Sequence, residues 1–207
     1  MPNLIEEKEI FSQGYKIVGS LDEAGRGPLA GPVVAACVVV VQDFCISDDL
    51  KMVRDSKKLS AKKREELYDL IFASFPEVGI GICDHETIDR INILQASFLA
   101  MKKAISSLKA KPDHLLVDGK FSIPNVSTAQ TAIIRGDEIV FSISAASIIA
   151  KVVRDRIMRE CHEKYPQYEF DKHKGYGTKI HLDNLKKYGP CEIHRKSFAP
   201  IKNLLRN

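Results

Sequence analysis

Short apolar runs alternate with longer amphipathic segments along this chain, and the apolar runs predict β-strands. Residues 17–21 and 33–41 are rich in β-branched side chains, and glycine- and proline-rich sequence separates them. This pattern predicts two consecutive strands, and residues 78–82 predict a third. Two later apolar runs, at 114–117 and 131–134, are also short enough to be strands.

Three amphipathic segments between and after these runs predict helices. Residues 61–75 are charged with regularly spaced apolar positions, and Ser60 precedes them as a candidate N-cap. Residues 84–108 and 144–164 repeat apolar side chains at helical spacing. Three successive strands followed by alternating helices and strands predict a mixed α/β sheet covered by helices.

Composition fits one large domain, or one domain with an appendage. The chain has 207 residues, of which 44% are hydrophobic and 28% charged, so a sizeable core is expected. The net charge of +4 is concentrated after Tyr176, where seven basic residues stand against two acids. A basic segment joined to an acid-bearing core suits an enzyme that works on phosphodiester backbones. The basic residues are Lys179, Lys186, Lys187, Arg195, Lys196, Lys202 and Arg206, and the acids are Asp183 and Glu192.

The cysteines and the N-terminal sequence predict a soluble protein of the cytoplasm. Five cysteines are scattered without a C-x-x-C pair, which argues against a disulfide framework or a zinc site. Residues 1–8 lack the basic-then-apolar layout of a signal peptide, and the run at 33–41 is too short to span a bilayer.

Acidic residues follow three of the apolar runs. Asp22 and Glu23 end the first, Asp118 ends another, and Asp137 follows a third after an Arg-Gly pair. Sites in α/β folds are commonly built at strand ends, and clustered carboxylates without histidine partners favour Mg²⁺ or Mn²⁺. Asp22 and Glu23 can serve one site only where the strand ends or bends. The alternative is that Asp118-Gly119 and Gly136-Asp137 are ordinary turns.

The turn after the first acids is Gly25-Arg26-Gly27. It could cradle a phosphate, but no Gly-Lys-Ser/Thr follows, so a nucleotide P-loop is not supported. The alternative is a strand-to-strand connection that needs glycine for a positive φ.

Several other side chains are candidates for contacts with a nucleic acid. Ser147, Lys151 and Arg154 share one helix face, which could hold a phosphate or be solvated. Lys57 lies in a polar loop of the kind that is usually surface. Tyr176 stands between glycines and could stack on a sugar or base, or anchor a buried loop.

Taken together, these segments resemble type 2 ribonuclease H, the ribonuclease HII family. The resemblance runs from Tyr15 to Pro200, and the Gly-Arg-Gly turn separates it from the type 3 relatives. It rests on motifs in family order: Asp22–Val33, Asp55–Leu59, Arg90–Ala96, Val117–Gly119, Gly136-Asp137, Ser144–Asp155, His173–Thr178 and His194–Pro200.

The resemblance implies a fold and a domain organisation. The expected fold is α/β, a ribonuclease H-like mixed five-stranded sheet flanked by helices with a C-terminal helical extension. It divides the chain into a catalytic domain, 1–175, and a basic C-terminal helical extension, 176–207, packed on it. A monomer without membrane contact is expected.

The resemblance also implies the site and its chemistry. Asp22, Glu23, Asp118 and Asp137 would be the catalytic metal ligands for Mg²⁺ or Mn²⁺, two ions acting together, with Asp22 as the bridging ligand. Glu138 is not selected. Gly25, Arg26 and Gly27 would contact the ribose 2′-hydroxyl, and Tyr176 the sugar at the RNA–DNA junction. Lys57, Ser147, Lys151 and Arg154 would contact phosphates.

The implied activity is that of an endoribonuclease acting on RNA–DNA hybrids and on ribonucleotides embedded in duplex DNA. It would leave 5′-phosphate and 3′-hydroxyl ends, as in ribonucleotide or primer removal. Two alternatives remain open. One is a noncatalytic nucleic-acid-binding module, which four intact acids disfavour because they cost affinity for phosphates. The other is a DNA junction resolvase, which would not need the Gly-Arg-Gly turn and Tyr176.

Overall fold

A computed structural model describes residues 1–205 of the chain. Five strands and eight α-helices are present in this range. The strands are β1 (Ile17–Ala24), β2 (Val33–Val41), β3 (Val78–Cys83), β4 (His114–Asp118) and β5 (Ala129–Ile133). The helices are α1 (Ile5–Ser12), α2 (Ala61–Ser74), α3 (His85–Ser106), α4 (Gly136–Ile139), α5 (Phe141–Lys164), α6 (Phe170–His173), α7 (Lys179–Tyr188) and α8 (Ala199–Leu204).

The five strands form one mixed sheet in the order β3-β2-β1-β4-β5. The pairs β3–β2 and β2–β1 are antiparallel, whereas β1–β4 and β4–β5 are parallel. In the centre of the sheet Leu21 pairs with Cys37 on one side and Val117 on the other. This arrangement confirms the predicted mixed five-stranded α/β fold.

Helices cover both faces of the sheet, and side chains of β2 alternate between them. Cys37 and Val39 pack in the cluster that contains α3, whereas Val38 and Val40 pack in the cluster that contains α2 and α5. Both faces are therefore dry, which explains why β2 is a continuous apolar run rather than an alternating one. At the edge strand, a Cβ on Gly81 would overlap the backbone of α3, so this glycine permits the close approach.

The structure lengthens the predicted elements β1 and α5, shows a kink in α3, and adds the N-terminal helix α1. β1 continues to Ala24, because β2 stays paired with it beyond the last contact with β4. α5 begins at Phe141, and α1 was not predicted. α3 is kinked at Asn92, which has φ 65° and caps the second half through its Oδ1, 3.0 Å from the amide of Leu94.

The C-terminal helices share a small core with the β1–β2 connection. Its members come from that connection, from α5 and from both sides of residue 175. The division into a catalytic domain, 1–175, and an extension, 176–207, stays a prediction. The cluster consists of Leu29, Ala30, Met158, Tyr168, Phe170, Leu185 and Ile201. Residues 206–207 of the expected extension lie outside the described part of the chain. No helix within residues 1–205 has the length and apolar character needed to cross a bilayer.

Candidate active site

Four carboxylates meet at the carboxyl ends of β1 and β4. These strands are parallel neighbours, so Asp22 and Glu23 on β1 and Asp118 at the end of β4 come to the same edge. Asp137, in the first turn of α4, donates its amide N–H to Asp118 Oδ1 at 3.4 Å. Asp22 and Asp137 are each only 5% exposed. The topology therefore brings together acids that are widely separated in sequence.

Asp22 and Glu23 line the same cleft although they are adjacent on one strand. The sequence required the strand to end or bend between them; β1 does not end there, but it leaves β4 after Leu21 while remaining paired with β2. The Glu23 amide donates to Asp22 Oδ1 at 2.7 Å. The divergence of β1 from β4 opens the edge of the sheet where both carboxylates face the cleft.

The electrostatics of these acids favour a bound cation. Burial raises the pKa of Asp22 well above its usual range, and the charges of Glu23 and Asp118 add to the shift. Burial also raises the pKa of Glu23, which the nearby Arg26 opposes. The pKa of Asp118 is raised by burial and by Asp137. Like charges in a buried cluster repel unless a positive charge lies among them.

A cation already lies against one of the acids. The ammonium of Lys57, 76% exposed as a side chain, is 2.9 Å from Asp137 Oδ2, and its hydrogen bond and charge interaction with Asp137 raise the pKa of Lys57 against the effect of burial. Within residues 1–205, no group of three or more Asp, Glu, His or Cys side chains is arranged to hold a metal ion without movement of the side chains. The donor set is entirely carboxylate, the ligand type of hard divalent ions, so these residues fit Mg²⁺ or Mn²⁺.

The Gly-Arg-Gly turn follows directly and its two glycines differ in what surrounds them. Gly25 has φ +103°, and a Cβ there would overlap the side chain of Arg154 and lie 2.6 Å from the carbonyl oxygen of Pro32. A Cβ on Gly27 would meet only Tyr176 Cε1, at 3.6 Å. Arg26 Nη1 reaches Glu23 Oε1 at 3.1 Å. Gly25 is thus needed by the fold, whereas Gly27 leaves open space beside Tyr176.

Two buried guanidinium groups donate hydrogen bonds to backbone carbonyls of the β1–β2 connection, which contains the turn. Arg195 donates to the carbonyl oxygens of Gly25, Arg26, Gly31 and Pro32 at 2.6–3.1 Å. From composition alone, Arg195 is one of the basic residues of the C-terminal segment, because composition does not distinguish a buried guanidinium from a surface one. Its place within the motif His194–Pro200 was the available signal.

Arg154 supports the later part of the β1–β2 connection and is not placed for the phosphate contact expected of it. It is fully buried and donates to the carbonyl oxygens of Pro32, Lys174 and Ala30 at 3.0–3.2 Å. Burial also lowers the pKa of this guanidinium. The sequence suggested an accessible helix face, but at Arg154 this face packs against the β1–β2 connection. The guanidinium of Arg154 donates its hydrogen bonds to backbone carbonyls and not to a ligand in the cleft.

The other polar residues of α5 lie closer to the cleft. Ser147 Oγ is 3.0 Å from Ser56 Oγ, and a hydrogen bond with Ser147 opposes the rise in the pKa of Asp22. Lys151 pairs with Asp155 at 2.6 Å. Tyr176 is 44% exposed, which excludes the buried-anchor interpretation of its side chain. Glu138 pairs instead with Arg135, at 2.7 Å.

A cleft of about 240 Å³ joins the acids to the turn. Its lining contains all of the predicted site residues except Arg154 and Asp137. Asp137 contacts two of the lining residues, Lys57 and Asp118. The lining residues are Asp22, Glu23, Ala24, Gly25, Arg26, Gly27, Ser56, Lys57, Asp118, Ser147, Lys151 and Tyr176.

Comparison with known proteins agrees with this arrangement. The family model described as Ribonuclease HII matches residues 19–201. The chain belongs to the ribonuclease HII family. Ribonuclease HII of Caldicellulosiruptor bescii is 54% identical over 201 residues, covering 97% of this chain and 94% of that protein. Ribonuclease HII of Acholeplasma laidlawii is 50% identical over 204 residues, covering 99% and 98%.

Solved structures of ribonuclease H proteins share the fold. Ribonuclease H2 from Pyrococcus horikoshii OT3 superposes with a TM-score of 0.74 at 27% identity, covering 92% of this chain and 97% of that one. The ribonuclease HII of a PCNA complex from Archaeoglobus fulgidus gives a TM-score of 0.69 at 27% identity, covering 90% and 96%. Membership of the ribonuclease HII family implies ribonuclease H endonuclease activity for this chain.

Proposed function

We propose that this protein is a metal-dependent endoribonuclease that hydrolyses the RNA strand of RNA–DNA hybrids and nicks 5′ to ribonucleotides embedded in duplex DNA. It would leave 5′-phosphate and 3′-hydroxyl ends and serve ribonucleotide and primer removal. The observation that carries the proposal is one cleft in which buried carboxylates adjoin a glycine turn that faces an exposed tyrosine.

The carboxylates provide the metal half of the site. Asp22, Glu23, Asp118 and Asp137 would hold two Mg²⁺ or Mn²⁺ ions in the reacting complex, and Asp22 would be the ligand that both ions share. When bound, the ions would supply the positive charge that activates water and stabilises the departing 3′-oxygen. The side chains themselves supply the negative charge that a cation compensates. Lys57 lies on the rim of this cluster, where its mobile, exposed ammonium can move from Asp137 to a substrate phosphate.

The glycine turn and the tyrosine provide the ribose half. A 2′-hydroxyl both donates and accepts hydrogen bonds, so backbone groups that glycine exposes can recognise it at close range. The backbone that Gly27 leaves uncovered lies beside the Tyr176 ring in the same cleft, which suits a sugar that lies across both. Arg195 fixes the carbonyls of Gly25 and Arg26 in the turn, and Arg154 fixes those of Ala30 and Pro32 further along the β1–β2 connection, which makes the site preorganised.

The chemistry is tested by mapping the products from an end-labelled RNA–DNA hybrid. Incubation with Mg²⁺ or Mn²⁺ is expected to give fragments with 5′-phosphate and 3′-hydroxyl ends, and chelation by EDTA to stop the reaction. Asp118→Asn, which keeps size but removes charge, should lose at least about 100-fold in rate. Cleavage that persists in EDTA, or fragments with 2′,3′-cyclic phosphate ends, would contradict the proposal.

We further propose that the protein acts as a monomer in the cytoplasm. Cys37, Cys45, Cys83, Cys161 and Cys191 are all free thiols, as expected in a reducing compartment. Light scattering on the purified protein should give a mass near 23.1 kDa. A mass twice as large at micromolar concentration would contradict the monomer.

A further inference from the structure

Two buried histidines connect the C-terminal segment to the loop that carries Tyr176. We propose that His181 and His194 form a relay of hydrogen bonds that positions Tyr176, so that both are positioning residues for ribose recognition. The proposal rests on the proposed function, in which Tyr176 packs on the sugar. Neither histidine lines the cleft, and both act only through the backbone of the loop.

The relay consists of three consecutive contacts. His181 Nδ1 lies 2.9 Å from the carbonyl oxygen of Tyr176, and His181 Nε2 lies 3.0 Å from His194 Nε2. His194 Nδ1 lies 2.9 Å from the amide nitrogen of Cys191, 3.1 Å from its Sγ and 3.2 Å from its carbonyl oxygen, which already accepts the backbone N–H of His194. Both imidazoles are fully buried. The chain of contacts therefore runs through the protein interior from Cys191 to Tyr176.

The two ends of the relay fix the tautomer of each ring. A carbonyl oxygen only accepts, so His181 Nδ1 carries the proton and donates to Tyr176. His181 Nε2 is then an acceptor, and His194 Nε2–H donates to it. His194 Nδ1 is left without a proton, as required to accept the N–H of Cys191. Starting from either end gives the same assignment, and each ring is neutral.

Neutral rings agree with the surroundings. Burial lowers the pKa of both His181 and His194 to about 4; His173 adds to the shift of His181, and His181 adds to the shift of His194. A proton added to His181 would place two N–H groups face to face at the His181–His194 contact. A proton added to His194 would place two N–H groups face to face at its contact with the amide of Cys191. The relay is therefore intact near neutral pH.

A third histidine holds the other side of the same loop. His173 stacks on His181 with ring centroids 4.5 Å apart. Its Nδ1 accepts the amide of Gly175 at 3.2 Å and its Nε2 donates to the carbonyl of Tyr168 at 2.8 Å. The amide of Gly175, one residue before Tyr176, and the carbonyl of Tyr176 itself are thus bound to imidazoles, and the exposed phenol ring projects from this backbone.

Substitutions that mimic one ring nitrogen distinguish the relay from ordinary packing. In His181→Asn the amide nitrogen can take the place of Nδ1 and keep the bond to Tyr176. In His181→Gln the longer side chain places its amide near Nε2, so the contact with His194 is kept and the bond to Tyr176 is lost. The two variants have the same functional group, so they form a matched pair.

The first test measures kcat/KM on a duplex with one ribonucleotide in two backgrounds. His181→Gln is expected to lose about tenfold, or 1.4 kcal/mol, and His181→Asn less than about threefold. In a Tyr176→Ala background, His181→Gln should cost less than about twofold, because it acts through the missing ring. Equal losses in both backgrounds, or equal losses for Asn and Gln, would show a merely structural role and overturn the proposal.

The second test needs neither a variant nor activity. Imidazole ¹⁵N chemical shifts of the wild-type protein at pH 7 should show a protonated Nδ1 in His181 and a protonated Nε2 in His194. The opposite tautomer in either ring, or a doubly protonated ring, would overturn the relay. Because this measurement involves no substrate, it separates failure of the relay from failure of the proposed function.

Discussion

The two glycines of the turn after β1 should respond in opposite ways to the same added methyl group. Gly27 is not among the residues with positive φ, and a Cβ there meets only Tyr176 Cε1 at 3.6 Å, an ordinary van der Waals contact. Gly27→Ala is therefore expected to leave the free energy of unfolding unchanged or raise it by up to about 1 kcal/mol, because alanine restricts the unfolded chain.

Gly25→Ala has the opposite effect on the fold. At φ +103° an L-residue is strained by roughly 1–2 kcal/mol or more, and the Cβ would overlap Arg154, whose guanidinium holds three carbonyl oxygens. With a displaced buried hydrogen bond at about 1–3 kcal/mol, the expected loss is about 3 kcal/mol or more. Urea denaturation of the two variants measures this difference directly.

The cleavage activity of Gly27→Ala should fall even though its stability does not. The methyl group of Gly27→Ala covers the backbone that the ribose must approach and lies against the Tyr176 ring. Loss of the 2′-hydroxyl contacts, about 2 kcal/mol, corresponds to roughly a 30-fold fall in kcat/KM on a duplex with one ribonucleotide. A fully stable Gly27→Ala protein that cleaves at the wild-type rate would refute the reasoning, as would a Gly27→Ala protein as unstable as Gly25→Ala.

Three further predictions concern charge. Without metal, Asp22→Asn should raise the free energy of unfolding by about 1–3 kcal/mol, because it removes a carboxylate that burial and the charges of Glu23 and Asp118 destabilise. The same variant should abolish the thermal stabilisation by Mg²⁺, and an unchanged response to Mg²⁺ would contradict the metal site. The pKa of His181 is about 4 in the fold against about 6.5 unfolded, so the unfolded state binds the proton first and stability falls as pH drops through that window. Between pH 7 and pH 5 the wild type should lose about 2 kcal/mol more than His181→Asn, and parallel pH profiles would contradict this. Arg195→Met removes the guanidinium donor from the carbonyl oxygens of Gly25, Arg26 and Gly31, while Pro32 keeps its bond from Arg154. This variant should cost about 3 kcal/mol or more in urea unfolding, whereas a loss below about 1 kcal/mol would show that water replaces the guanidinium.

The strands and the acids were accessible from sequence for physical reasons. A strand buried on both faces must be a continuous apolar run, so β2 is unmistakable, and sites form where such runs end. Helix α2 was also signalled by its cap, since Ser60 Oγ accepts the amide of Lys63 at 3.2 Å. These features depend on neighbours along the chain, which the sequence displays.

The parts that were missed depend on residues far apart in sequence. Arg154 and Arg195 satisfy backbone carbonyls around Pro32, more than a hundred residues away, and nothing local marks them as buried. The contact of Lys57 with Asp137 crosses a similar distance. Helix α1 was missed because it is short and only weakly amphipathic, and it is fixed by a tertiary contact: Glu7 accepts hydrogen bonds from Ser142.

The central claim is that this cleft recognises one ribose and cuts beside it. The most direct test uses two DNA duplexes that are identical except for a single 2′-hydroxyl, incubated with the protein and Mg²⁺ or Mn²⁺. We expect one nick, 5′ to the ribonucleotide, no cleavage of the all-DNA duplex, and loss of the nick in Asp118→Asn. Cleavage of both duplexes, of neither, or an undiminished nick by Asp118→Asn would contradict the account.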